Sequence, residues 1–177
     1  MQGFEKELGS CVKFQLGRQG FGLPLEQVRE IVAAGAVTPV PQAPSVIRGL
    51  ANLRGRVVTL IDVATVFNRP LPAARTAEDR LALLLGAPWE HLGVYVHAPV
   101  EIGQAVTAPA GVQRGPLTVS MMGVGGDPGD AGEPSDPARP PAVGLSTVSG
   151  DFVHMISAPE LVAFCEARVL EGFRKRN

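Results

Sequence analysis

The chain has 177 residues, 45% of them apolar, which is enough for at least one hydrophobic core and excludes a wholly disordered protein. Its 16 basic and 17 acidic side chains give a formal net charge of −1, which excludes the positive field that non-specific nucleic-acid binding needs. The 21 Gly and 16 Pro make up about a fifth of the sequence, against about an eighth in average usage, and this surplus predicts many turns.

The N-terminal part predicts a β-hairpin and then a short helical turn. Apolar and polar residues alternate over 12–16 and again over 21–23, on either side of a turn at 17–20, so residues 11–23 predict a hairpin. Pro24 then opens a predicted helical turn. The residues on its apolar face are Leu25, Val28, Ile31 and Val32.

The central segment predicts two strands joined by a tight turn. Residues 35–44 contain three prolines and predict an ordered loop or an extended strand. Residues 47–53 and 57–61 predict strands around a turn at 54–56, and the apolar run 57–61 is typical of a strand buried on both faces. Asp62 is placed to cap a helix over 63–67, and residues 68–79 predict a polar crossover.

The rest of the chain predicts two further pairs of strands and a C-terminal helix. Residues 81–86 and 92–97 predict one pair of strands, and residues 143–148 and 152–156 predict another. Residues 157–160 form a capping box that opens a C-terminal helix. Its apolar stripe is predicted to contain Leu161, Val162, Cys165, Val169 and Phe173.

An internal repeat runs through these elements. Residues 22–31 match residues 93–102 at an offset of 71, and residues 55–62 match residues 150–157 at an offset of 95. The two offsets differ by 24 residues (95 − 71), which predicts an insertion of about that size between Ile102 and Gly150.

Residues 123–141 are the candidate for this insertion. Ten of these 19 residues are Gly or Pro and four are acidic. They cannot bury enough apolar surface to offset a backbone ordering cost of about 1–2 kcal/mol per residue, which predicts a flexible surface loop. A calcium loop is the alternative, but one Gly-Asp run without a register of oxygen ligands is a weak signal for it.

Residues that could carry enzyme chemistry are sparse. His91 and His97 lie six residues apart on one predicted strand, and the sequence contains no HExxH, CxxC, GxSxG or phosphate-loop motif. Cys11 and Cys165 are expected to be small buried apolar residues rather than a disulfide or metal ligands. We therefore expect no metal and no cofactor.

The sequence predicts no membrane insertion. The longest uncharged stretch, residues 31–47, has 17 residues and is broken by Pro39, Pro41 and Pro44. Charged residues at 5–7 occupy the place where a signal peptide needs its apolar core. We therefore expect a cytoplasmic protein.

A polar cluster lies in the predicted turn between the two central strands. It consists of Asn52, Leu53, Arg54 and Gly55, shortly after Gly49. One interpretation is an ordinary hairpin turn with a solvated arginine. The other is a donor fork fixed beside apolar residues, as in a protein-binding hot spot. The residue types alone leave both open.

Three motifs in order resemble the CheW family of chemotaxis coupling proteins. Residues 28–31 read VREI, residues 38–41 read TPVP, and residues 47–62 read IRGLANLRGRVVTLID. The resemblance is close over about residues 14–67 and looser over 81–102 and 143–164.

The resemblance implies a mainly β fold of two intertwined, SH3-like, five-stranded barrels with short helices and a C-terminal helix. It implies a single domain over residues 11–177, with a first barrel at about 11–75, a second at about 78–165, and strands partly shared. The second copy departs from the family at His97, at Pro99 and in its longer insertion.

The resemblance also implies a non-enzymatic adaptor that couples chemoreceptors to a CheA-type histidine kinase. The implied partners are the regulatory domain of that kinase and the cytoplasmic tip of methyl-accepting chemoreceptors, which would recruit the protein to membrane receptor arrays. Arg54, with Asn52, Leu53 and Gly55, matches the motif tied to coupling. Further candidates for contact or support are Gly49, Leu50, Val46, Ile47, Val28 and Ile31.

Two alternatives remain at this point. One is a coupling protein of a pilus or another motility system, which sequence cannot separate from chemotaxis. The other is a small β-barrel enzyme with His91, Tyr95 and His97 lining a pocket.

Overall fold

The structure is a computed structural model that describes residues 7–107, 143–148 and 151–174. The predicted insertion at 123–141 lies outside these residues. The described strands are β1 (Glu7–Leu16), β2 (Gln19–Pro24), β3 (Val28–Ala33), β4 (Val37–Thr38), β5 (Ile47–Leu53), β6 (Arg56–Asp62), β7 (Arg80–Leu85), β8 (Leu92–His97), β9 (Glu101–Thr107), β10 (Val143–Val148) and β11 (Asp151–Ile156). The helices are a 3₁₀ turn (Leu25–Gln27), α1 (Val63–Val66) and α2 (Ala158–Arg174).

The strands form two curled sheets. β1, β2, β11, β10 and β9 close into a five-stranded barrel, and β3, β7, β8, β6, β5 and β4 form a six-stranded sheet in that order. The sixth strand is β4, which has two residues and pairs with β5. The six-stranded sheet therefore takes the consecutive strands β3 to β8, whereas the barrel combines strands from the beginning and the later part of the chain. The predicted mainly β fold class is confirmed, whereas the domain limits stay a prediction.

The predicted repeat is visible in the strand register. Gly93 lies opposite Leu60 in the parallel pair of β6 and β8, and Gly22 lies opposite Met155 in the parallel pair of β11 and β2. The offsets of 71 and 95 residues relate these two pairs to each other. A Cβ atom added to Gly22 would lie 2.7 Å from Met155 Sδ, and one added to Gly93 would lie 3.1 Å from Leu60 Cδ2. Glycine therefore lets a side chain of the parallel partner strand pack at equivalent points of both sheets.

The main hydrophobic core contains residues of both sheets and of α2. Val12, Phe14 and Leu16 contribute from β1, and Leu83 and Leu85 contribute from β7. Burying a side chain of this size stabilises the fold by about 1.5–3 kcal/mol. Two smaller clusters are formed by residues that alternate with these along the same strands, such as Cys11 and Leu84. The main core therefore holds the two sheets together.

Helix α2 covers this core with one face. Leu161, Val162, Phe164 and Cys165 are buried. The helix starts where the carbonyl of Ser157 accepts from the amide of Leu161 at 3.0 Å. The amide of Ala158 donates to Gln27 Oε1 at 2.7 Å, which ties α2 to the 3₁₀ turn. The predicted helix is confirmed, and no helix in the described part of the chain is long and apolar enough to cross a membrane.

Most local predictions between residues 11 and 67 are confirmed. β1 with β2 and β5 with β6 form the predicted antiparallel hairpins. Asp62 caps α1, because its Oδ1 accepts from the amide of Thr65 at 3.2 Å. Alternation over residues 12–23, apolar runs on either side of the turn at 54–56 and capping chemistry sufficed for these elements.

Two local predictions between residues 11 and 67 are wrong. The helical turn after Pro24 ends at Gln27, and the segment from Val28 is β3, paired with β7. Its β-branched residues suit a strand, and the long-range pairing overrides the helix-like spacing. The strand at 57–61 is not buried on both faces throughout, because Val57 is 65% exposed and burial begins at Val58.

Candidate protein-binding site

The β5–β6 hairpin carries Arg54 at its tip. The two strands pair as far as Leu53 and Arg56, which leaves Arg54 and Gly55 as a two-residue turn. Both turn residues have left-handed backbone, with φ of 53° and 78°. This is the combination of a type I′ turn, whose twist matches that of the flanking strands. The turn geometry therefore sets the direction in which the arginine leaves the hairpin.

Arg54 forms an ion pair with Glu30 of β3. Arg54 Nη2 lies 2.6 Å from Glu30 Oε1, and the side chains are 74% and 29% exposed. β3 is one end of the six-stranded sheet and β5 lies next to the other end, so the pair connects one edge strand to the hairpin beside the opposite edge. Exposed ion pairs contribute about 0–1 kcal/mol, so this pair orients the guanidinium more than it stabilises the fold.

A shallow groove lies beside the hairpin tip. Its volume is about 400 Å³, and its walls are β3, Gly35 and the end of β5 with its turn. The residues that line it are Ile31, Val32, Ala33, Gly35, Asn52, Leu53 and Arg54. The structure therefore brings four of the ten predicted site residues, Ile31, Asn52, Leu53 and Arg54, to one groove, and Gly55 lies in the adjacent turn.

Three other predicted site residues contribute to the main core. Val28 and Val46 are buried in it, and Ile47 is partly buried against it. Burial leaves Val28 and Val46 little surface to offer a partner. They can support the site through packing, and their predicted role in contact stays a prediction.

Gly49 and Leu50 lie where β4 approaches β5. Gly49 has φ of 147°, and an added Cβ would clash with the backbone oxygen of Thr38 and lie 2.9 Å from Val37 Cγ1. Leu50 is the register partner of Thr38. The missing side chain of Gly49 therefore permits the close approach of the two strands.

Arg48, which the sequence interpretation passed over, lies between these candidates. Its Cζ lies 5.0 Å from the ring centroid of Tyr95, and its Nη1 lies 3.5 Å from Asp62 Oδ2. The arginine side chain is 49% exposed, whereas that of Asp62 is 9% exposed. No short-range pattern signals this contact, because Tyr95 is far away in the sequence.

The closed barrel contains a counterpart of the Arg54–Glu30 pair with different chemistry. Glu101 is related to Glu30 by the offset of 71. Lys13 Nζ lies 3.7 Å from Glu101 Oε2 and 2.6 Å from Asp151 Oδ2. Hydrogen bonding to Asp151 raises the pKa of Lys13 above its usual value. The cation here comes from β1. Ser149 occupies the sequence position equivalent to Arg54, so only one of the two sequence repeats has an arginine at this position.

His97 is held between a backbone carbonyl and the hydroxyl of Tyr95. His97 Nδ1 lies 2.6 Å from the carbonyl oxygen of Pro72, and Nε2 lies 3.2 Å from Tyr95 Oη, which is buried. His91 is exposed and precedes β8, so the prediction that His91 and His97 share one strand is wrong. Within the described residues no group of His, Cys, Asp and Glu is arranged to hold a metal ion.

The two cysteines are buried free thiols, as predicted. Burial raises the pKa of Cys165 to about 12 and also raises the pKa of Cys11. Both thiols therefore stay protonated at neutral pH, and neither has the character of a nucleophile.

Comparisons with known proteins agree with this fold. The sequence model of the CheW-like domain family matches residues 10–123, more than half of the chain. A chemotaxis protein CheW of Treponema pallidum is 29% identical over 87 residues, which cover 48% of this chain and 51% of that protein. Protein FrzA of Myxococcus xanthus is 40% identical over 50 residues, 28% of this chain and 31% of FrzA.

A solved structure has the same fold. The scaffolding protein TtCheW from Thermoanaerobacter tengcongensis superposes with a TM-score of 0.54 at 20% identity, covering 84% of this chain and 88% of that chain. The aligned region spans about half the length of the Treponema relative. On the family match, the chain belongs to the CheW-like domain family.

Proposed function

We propose that this protein is a non-enzymatic adaptor that couples chemoreceptors to a CheA-type histidine kinase. The observation that carries the proposal is Arg54, an exposed guanidinium that the type I′ turn and Glu30 hold at the rim of a groove, within the segment that matches the CheW-like domain. An oriented arginine beside apolar residues is the composition of a protein-binding hot spot.

The proposed partners are the regulatory domain of the kinase and the cytoplasmic tip of a chemoreceptor. The protein would act in the cytoplasm and join membrane receptor arrays through these contacts. Switchable contacts of this kind are small, and a few anchors dominate their specificity. Arg54 and the groove residues Ile31, Asn52 and Leu53 are the proposed contact set.

Titration of the purified chain with each partner fragment tests the proposal. Arg54→Glu is expected to weaken binding of at least one partner about tenfold or more, because it removes the donor fork and introduces repulsion of Glu30. Arg18→Glu is the matched control, since Arg18 is exposed in another hairpin turn, between β1 and β2. Unchanged binding of both partners by a folded Arg54→Glu protein would contradict the assigned site.

A further inference from the structure

We propose that Arg48 is a second anchor of the partner-binding surface and that it binds a carboxylate of the partner protein. The inference rests on the proposed adaptor function. Arg48 lies between the candidate residues Ile47 and Gly49 in the sequence. Its side chain contacts Tyr95 and Asp62.

A β-bulge sets the direction of Arg48. Along the pair of β5 and β6, Ile47 lies opposite Ile61 and Gly49 lies opposite Leu60, so Arg48 is the extra residue of the longer strand. A bulge bends its strand and redirects the side chain of the inserted residue. The next residue, Gly49, has a backbone conformation that favours glycine and packs against Thr38. The packing of β4 on β5 therefore maintains the bulge.

Two buried groups then fix the guanidinium. One face lies over the ring of Tyr95, which is 2% exposed, and Nη1 is tethered to Asp62 Oδ2. Asp62 itself is held by the amide of Thr65 at the start of α1. A guanidinium that is stacked and tethered in the free protein loses little rotamer freedom when a partner binds.

The rest of the guanidinium is available to a partner. The side chain is 49% exposed, and the contact to Asp62 involves only one of its terminal nitrogens. A guanidinium carries five N–H donors in a planar fork, and two parallel donors of that fork match the two oxygens of a carboxylate. Arg48 and Arg54 stand near opposite ends of β5, roughly 20 Å apart along the strand. One interface of ordinary size can cover both.

A purely structural role for Arg48 predicts a different result. If the arginine only covers Tyr95 and pairs with Asp62, a folded variant without the positive charge will bind partners normally. Arg48→Gln is such a variant. Arg48→Lys keeps the positive charge but loses the planar fork.

The experiment measures the Kd of the full chain for two probes, the regulatory domain of a CheA-type kinase and a cytoplasmic chemoreceptor fragment, at low and high salt. Thermal melting of each variant checks the fold. Arg48→Gln is expected to raise the Kd for at least one probe about tenfold and to reduce its salt dependence, with a smaller increase for Arg48→Lys. Arg18→Gln, an exposed arginine without these contacts, is expected to stay within about twofold of the wild type.

The possible failures are distinguishable. If the wild-type chain binds neither probe, the proposed function fails and this inference fails with it. If Arg54→Glu loses binding while Arg48→Gln binds as the wild type does, only this inference is overturned. If Arg48→Gln does not fold, the Kd of Arg48→Lys decides between the two roles. A Kd of Arg48→Lys equal to that of the wild type contradicts the two-donor contact.

Discussion

Arg54 in the β5–β6 turn and Glu30 on the edge strand β3 are joined by a contact of 2.6 Å between Nη2 and Oε1. Because the ion pair can be reversed without being removed, its role in orienting Arg54 can be tested separately from a contact of Arg54 with a partner. The double variant Glu30→Arg with Arg54→Glu restores an ion pair of reversed polarity.

We expect the double variant to melt close to the wild type, since an exposed pair contributes about 0–1 kcal/mol, yet to remain deficient in partner binding. Isothermal titration against the kinase and receptor fragments provides the measurement. Recovery of binding by the double variant would mean that Arg54 only positions β3 and does not itself contact the partner.

Gly49 and Gly55 differ in what surrounds them, and alanine substitutions should report that difference. Gly49→Ala introduces a clash with the backbone of Thr38, which no side-chain rotation relieves, and should destabilise the fold by about 3 kcal/mol. Gly55 also has positive φ but no atom within 4 Å of an added Cβ, so Gly55→Ala should cost about 1 kcal/mol. Urea unfolding of both variants measures the difference, and equal losses would contradict the close approach of β4 to β5.

Lys13 forms ion pairs with Asp151 and Glu101 in the closed barrel. The equivalent residue of the six-stranded sheet, at the offset of 71, is Leu84, which is buried. We therefore expect Lys13→Leu to change the free energy of unfolding by no more than about 1 kcal/mol. Asp151→Ala should cost more, because it leaves a 10% exposed ammonium with only the longer contact to Glu101. Chemical unfolding that ranks Lys13→Leu as the less stable variant would refute this account.

His154 should make stability fall in mild acid. Burial is the main reason that its pKa lies below 6.5 in the folded protein, and Arg69 lowers it further. The unfolded chain therefore takes up the proton at a higher pH than the folded chain does. The contribution of His154 is complete above pH 6.5 and is lost as the pH falls below that value.

His154→Phe keeps an aromatic side chain near Phe21, whose ring centroid lies 5.3 Å from that of His154, and removes the titrating group. The melting temperature of this variant should fall less between pH 7.5 and 5.5 than that of the wild type. Parallel pH profiles of the two proteins would exclude His154 as the source of the acid sensitivity.

The thiols of Cys11 and Cys165 should be unreactive in the native state. Both are buried, and burial raises both pKa values, that of Cys165 to about 12. A thiol reagent at pH 8 should label neither until the protein is unfolded in denaturant, when both should react. Rapid labelling of one thiol in the folded protein would show local opening of the barrel or of the α2 contact.

The sequence alone determined the local elements of this protein. Alternation predicted the hairpin of β1 and β2, and apolar runs around a turn predicted that of β5 and β6. Asp62 predicted the start of α1, and the offsets of 71 and 95 predicted the duplication that the register confirms. The sequence also predicted that Arg54 lies in a tight turn. Turns and caps depend on sterics and hydrogen bonds within a few residues, so a short window of sequence suffices to predict them.

Only the tertiary structure decided which of these elements meet. It made residues from Val28 a strand by pairing them with β7, paired Arg54 with Glu30, and placed Arg48 on Tyr95 through a bulge in β5. These contacts join residues 24 or more positions apart in the sequence. They depend on how the sheets curl and interlock, and no short window of sequence contains the packing energy that selects that arrangement.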